Sequence, residues 1–308
     1  MTRQHTAPLE PSPWPPTGPV DLKTFIRNLG ASRARGSATS TQYRRTAMLV
    51  ERAAPRMIEA APLEPIGFLD AVQRRALVGR RNRLDISLVF LAAGTVLGNR
   101  LLNVEERLAV LCSVQDEQFV RAALSDVPVV ALPDLLPWGV ASATDGWIDE
   151  TRRRLEERAL EGAPRASGHF VVVDGSLPPH ASRLDAVGVI KTTATDWLID
   201  ESSYPYLGGW RSPALLLPPS RAGDRARLSC LVRLRDVEGC HAYDYSLVRV
   251  ECFEEAGIET LEAVAALAVQ ERQPLTSGDP RAEVHMRSMR TTEDVLRTRV
   301  PVAFQVLP

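Results

Sequence analysis

Two aspartates stand out by the company they keep. In His169-Phe170-Val171-Val172-Val173-Asp174-Gly175-Ser176, a continuous apolar run ends in an acid and a turn. Such a run suits an interior strand covered on both faces. An acid at its end lies where an open α/β sheet exposes its functional edge. Gly175 lets the chain turn away without a side chain blocking a ligand. The structural alternative is a turn-capping Asp, a common device after a strand. Asp70 interrupts the apolar stretch 66–72. A carboxylate inside a sheet is costly unless it is paired or binds a cation. An ion pair to Arg74 or Arg75 is the structural alternative for it.

A third acid comes from the helix expected over 148–161. At about 100° per residue, Ile148, Leu155 and Ala159 share one face. Glu156 falls on the flank of that stripe, whereas Glu157 points away and is expected to be solvated. The competing role for Glu156 is an i,i+4 partner of Arg152. A fourth candidate is His285, in Arg281-Ala282-Glu283-Val284-His285. Its alternative is an ordinary structural histidine. His5 lies in the tail, His180 follows two prolines, and His169 and His241 stand at strand starts, so these rank lower.

The elements that must position these residues follow from pattern. Residues 1–20 hold Pro8, Pro11, Pro13, Pro15, Pro16 and Pro19, which predicts a disordered tail. Residues 21–61 read as an N-terminal helical segment, with Leu22, Phe25, Ile26 and Leu29 on one face, then Met48, Leu49, Met57 and Ile58 beyond a loop at 33–44. Residues 62–308 read as one α/β domain. It opens with a hairpin, strands at 66–78 and 84–91 around a turn at 79–83. A helical insertion follows at about 98–146, with apolar periodicity over 104–124. Further strands are expected at 169–174, 186–191, 226–233, 245–253 and 300–307, and helices at 258–271 and 292–297.

Composition bounds the function loosely. Lys and Arg number 37 against 38 Asp and Glu, a net charge of −1, so no bulk field announces a polyanion partner. Local clusters such as Arg74-Arg75, Arg80-Arg81 and Arg152-Arg153-Arg154 could still line a groove, or simply be solvated. Cys112, Cys230, Cys240 and Cys252 are too scattered for a usual zinc spacing and fit thiols in a reducing compartment. The start lacks the apolar core of a signal peptide and no apolar run spans a bilayer, so a cytoplasmic protein is expected. No Gly-x-x-x-x-Gly-Lys-Ser/Thr sequence supplies a motor. Ser176 lacks the Gly-x-Ser-x-Gly setting of a hydrolase nucleophile.

With these positions in view, the chain resembles the NurA nucleases, partners of HerA translocases. The matching pieces are Leu69-Asp70-Ala71-Val72-Gln73-Arg74, Arg152-Arg153-Arg154-Leu155-Glu156, Val171-Val172-Val173-Asp174-Gly175-Ser176-Leu177, Val187-Gly188-Val189-Ile190-Lys191 and Asp279-Pro280 with His285. They run in the family's order from about 65 to 301. Asp70-Ala71-Val72 stands where many members have Asp-Gly-Ser, and Asp279 where they have an aromatic residue. The resemblance implies an RNase H-like mixed sheet flanked by helices. It also implies a divalent-metal-dependent DNA nuclease that processes ends in repair or in defence against phage. Asp70, Glu156, Asp174 and His285 would hold Mn²⁺ or Mg²⁺, with Lys191, Arg152 and Arg153 near the DNA. The partners implied are DNA, a second copy of the chain and a hexameric HerA-type ATPase. Two rival readings are a catalytically inactive NurA-like scaffold and an RNase H- or Argonaute-like nuclease acting on RNA or hybrids.

Overall fold

The computed structural model describes residues 47–51, 54–81, 84–124, 127–133, 137–178, 181, 183–191, 203–219, 223–236, 245–275 and 282–306. The expected tail at 1–20, the first helical face at 22–29, the loop at 33–44, His5, His180, Cys240, His241, Asp279 and Pro280 lie outside these residues.

The described strands form one mixed sheet. Its centre is an antiparallel meander, β3 (Pro65–Arg81), β4 (Leu84–Leu97) and β5 (Arg100–Ser113). On the β3 side, β7 (Phe170–Asp174) and then β8 (Ala186–Ile190) add in parallel. β6 (Val129–Leu132) adds in parallel to β5. Beyond β8 the sheet continues antiparallel through β12 (Leu247–Phe253), β11 (Arg227–Arg233) and β10 (Leu215–Leu217), with β9 (Trp210–Arg211) also on β11. β1 (Met48–Leu49) and β2 (Arg56–Met57) close the edge on β10 and β9.

Helices cover both faces, because the central strands are apolar on both. In β7, Val171 and Val173 pack with Ile148, Leu155, Ala159 and Leu160 of the long helix α2 (Pro137–Gly162), which follows the short α1 (Glu117–Ala123). Val172, with Val187, Val189, Val248 and Val250, packs against Leu261, Val264 and Ala268 of α3 (Gly257–Gln270). α4 (Arg287–Arg297) lies on the same side over the meander, where Leu296 meets Val72, Phe90 and Ala92. The last helix, α5 (Ala303–Val306), is a single turn. No described helix is long and apolar enough to cross a membrane.

Four expectations need correction. The stretch 98–146 is not a helical insertion: most of it is β5, α1 and β6, and only its end begins α2. The apolar positions Leu108, Val110 and Leu111 read as part of a helix, but Ala109 and Leu111 face one core while Val110 and Cys112 face another. That two-sided burial comes from pairing with β4 and β6, a long-range cause that local periodicity does not carry. Met48, Leu49 and Met57 belong to short edge strands, not a helix. They are exposed, and the segment is tied down by Glu51, which accepts two hydrogen bonds from buried Arg211 at 2.7 and 2.8 Å. The turn at 79–83 is tighter than expected, since β3 reaches Arg81 and β4 starts at Leu84. The tail at 300–307 makes a helical turn where a closing strand was expected.

Candidate functional site

Parallel pairing of β3 with β7 places Leu69 opposite Val173, so Asp70 and Asp174 follow side by side on neighbouring strands. Alternation sends both acids to the α3–α4 side, Asp70 with Phe68 and Val72, Asp174 with Val172. Asp174 is the last residue of β7, and the chain then turns at Gly175, whose φ of 128° favours glycine. The Gly175 amide donates to the Val189 carbonyl at 2.9 Å, which carries the β7–β8 pairing one residue past the strand end.

Asp70 is the more perturbed acid. Burial and the charge of Asp174 push its pKa from 3.8 to about 8, against the pull of Lys191 and of the Ala71 amide, which donates to it at 2.7 Å. The arginines offered as its structural partners go elsewhere. Arg74 donates to the Gln73 carbonyl, and Arg75 reaches Ser87 at 3.2 Å and Asp145 at 3.3 Å.

Lys191, just past β8, makes an ion pair with Asp174, both side chains being largely buried. Its ammonium also acts on Asp70, so one cationic group serves both acids.

Glu156 approaches from the other layer. Leu155 and Ala159 beside it are buried, and the side chain itself is 30% exposed. Burial raises its pKa to about 7; Arg152, 3.8 Å away, opposes this, and the charge of Asp174 adds to it. Glu156 is thus linked electrostatically to Asp174. Glu157, expected to be solvated, is 28% exposed and paired with Arg153, so the two glutamates differ in partners rather than in exposure. Arg152 and Arg153 are both engaged along α2, Arg152 with Asp149 and Glu156, Arg153 with Glu150 and Glu157.

His285 is fully buried, just before Met286, which bridges to Arg272 and packs in the core under α3. Among the described residues, no three His, Cys, Asp or Glu side chains stand together as a formed metal-ligand group. What the structure brings together is the pair Asp70–Asp174 with Lys191, and Glu156 in reach of Asp174 by charge alone.

Two residues escaped the sequence reading. Glu293 of α4 acts on Asp70 from above and is held by Arg297 at 2.5 Å. Its helix lies over β3 at buried Thr292, whose hydroxyl donates to the Ser288 carbonyl at 2.9 Å and stands 3.5 Å from the Phe68 carbonyl. Gly94, opposite Asp70 on β4, makes this possible, because a Cβ there would lie 3.0 Å from Leu296 and 2.7 Å from the Asn103 carbonyl. The other is Glu251 of β12, fully buried beneath the turn after Asp174. Alternation of Arg249 and Glu251 with Val248, Val250 and Cys252 is its only signal, and any half-polar strand shows the same pattern.

No known family profile and no curated protein matches the chain. Among solved structures it is similar to the crystal structure of the NurA nuclease from Sulfolobus solfataricus, at 10% identity, over 91% of this chain and 93% of that one, with a TM-score of 0.39.

Proposed function

We propose that this chain is a divalent-metal-dependent DNA nuclease on an RNase H-like sheet. The observation that supports it is the placement of Asp70, within β3, beside Asp174, at the end of the parallel neighbour β7, with Asp70 raised to about 8. Two acids pressed together this way demand a proton or a cation, and Lys191 already stands in for one. Asp70 and Asp174 would be the primary oxygen ligands for Mn²⁺ or Mg²⁺, hard cations that suit carboxylates. Glu156 would join from α2. When bound, the metal supplies charge stabilisation to a scissile phosphate and lowers the pKa of an attacking water. His285, fully buried, would be the nitrogen ligand that the resemblance implies.

The substrate and partners rest on the Asp174-Gly175-Ser176-Leu177 resemblance. They are DNA with a free end, a homodimeric state and a hexameric HerA-type ATPase that supplies translocation. To contact DNA, Arg152 and Arg153 would have to leave their carboxylate partners on α2, and Lys191 would have to leave Asp174.

The test is cleavage of end-labelled DNA in EDTA, Mg²⁺ or Mn²⁺, with wild type beside Asp174→Asn. Wild type is expected to cut with Mn²⁺ and not in EDTA, and the substitution to lower the rate by at least about two orders of magnitude, as for loss of a metal ligand. Equal cleavage by the variant would sink the site. RNA and hybrid oligonucleotides in parallel lanes separate this reading from an RNA-directed enzyme.

A second reading, a catalytically inactive scaffold, is favoured by one observation: Lys191 neutralises Asp174 directly. On that reading the protein cuts no nucleic acid and binds no Mn²⁺.

A further inference from the structure

On the face of the sheet opposite the paired acids, the turn Gly175-Ser176-Leu177 is held by a buried charged group. Glu251 has no exposed surface. Its Oε1 accepts the Leu177 backbone N–H at 2.6 Å and a hydrogen bond from Arg227 at 3.0 Å. Arg227 also donates to the Leu177 carbonyl at 3.4 Å, and Arg249 to the Ser176 hydroxyl at 3.3 Å. Arg249 stands 3.6 Å from the other carboxylate oxygen, Oε2, which has no hydrogen-bond partner among the described residues.

β12 supplies this anchor only because β8 leaves room. Gly188 pairs with Glu251, and a Cβ there would lie 3.0 Å from the Glu251 side chain and 2.7 Å from the Gly175 carbonyl. The turn is therefore seated between the side-chain-free surface of Gly188 and a carboxylate.

A buried carboxylate is costly, and hydrophobic groups of similar volume often do as well for stability. What a carboxylate does here that an apolar residue cannot is fix a backbone amide three residues from Asp174 in one position. We propose that Glu251 is a positioning residue that holds the Gly175–Leu177 turn, and through it the Asp174 carboxylate, in register with Asp70. The proposal rests on the metal-dependent reading of that pair. Groups that orient metal ligands from behind typically matter by about 10–100-fold in affinity or activity.

The test compares full-length wild type, Glu251→Gln and Gly188→Ala. Glu251→Gln keeps the shape and removes the charge. Gly188→Ala keeps the charge and pushes on the Gly175 carbonyl, so it serves if the first variant folds poorly. Mn²⁺ affinity by calorimetry is expected to fall about 10-fold or more in both, with secondary structure by circular dichroism unchanged. Hydrogen exchange in the peptide containing 174–178 is expected to quicken in both while β3 stays protected, a readout that needs neither metal nor activity. Folded variants that bind Mn²⁺ as wild type does, or that leave exchange at 174–178 unaltered, overturn the positioning role. If wild type binds no Mn²⁺, the metal reading fails and this role fails with it, whatever the exchange data show.

Discussion

At the residue scale, the behaviour of Asp70 follows from its neighbours. Its pKa in the folded chain, about 8, exceeds the ordinary 3.8. Folding therefore takes up a proton, and this stabilising contribution is complete below about pH 4 and lost as pH rises through about 8. Asp70→Asn cannot titrate. In metal-free protein it should match wild type near pH 4 and exceed it near pH 8.5 by about 1–3 kcal/mol, read as several degrees in thermal melts. Lys191 works in the opposite sense, drawing Asp70 toward ionisation and neutralising Asp174. Lys191→Met should lower the melting temperature of metal-free protein near pH 8 and enlarge the gain on adding Mn²⁺; an unchanged response to the cation would show that the ammonium and the metal do not compete. Asp70 and Asp174 were legible in the sequence because an acid inside or at the end of an apolar run is a conspicuous violation. Glu293 and Glu251 were not, since each sits in a charged neighbourhood, and only the packing of α4 and the β8–β12 register reveals what they face.

At the scale of elements, the strands near the acids were readable and the connections were not. β7 and β8 are covered on both faces, so their apolar runs are unbroken. β5 misled because its N-terminal half is exposed or half-buried and its Glu105-Glu106-Arg107 segment looks like a helix surface. Asn103 shows what that strand does: its amide donates to the Ala159 carbonyl at 2.7 Å and so seats α2 on the sheet. The same C-terminal end of α2 is closed by Arg183. Its buried guanidinium donates to the carbonyls of Leu160, Ala163 and Pro164 at 3.0, 2.6 and 2.9 Å and forks onto Asp185. Carbonyls at a helix C-terminus lack partners within the helix, and a cation there also meets the favourable end of the helix dipole. Arg183→Ala leaves Asp185 and those carbonyls unmatched, and should cost about 3–5 kcal/mol in denaturant unfolding, as for a broken buried pair. A cost below about 1 kcal/mol, the size of an exposed pair, would show that the end of α2 is held by packing alone.

At the scale of the molecule, one sheet gathers acids that are 104 positions apart in number, Asp70 and Asp174, with α2 on one face and α3 and α4 on the other. The apolar periodicities of β3, β7 and β8 made a mixed α/β fold legible. The edge strands formed by 48–49 and 56–57 were hidden, because Met48, Leu49 and Met57 are exposed and their placement depends on the remote ion pairs of Arg211 with Glu51 and Glu262. With a net charge of −1, the nucleic-acid binding proposed above would rely on a local surface. Binding of DNA is accordingly expected to weaken steeply with salt, with a slope that counts the phosphates contacted, and to persist in Asp174→Asn.

Whether Asp70 and Asp174 share one cation is decided by calorimetric titration of Mn²⁺ into wild type, Asp70→Asn, Asp174→Asn and the double variant. One site in wild type, lost by about 10-fold or more in either single variant and no further in the double, is the result expected of ligands to one ion. Unchanged affinity in Asp174→Asn, or losses that simply add in the double variant, would contradict it.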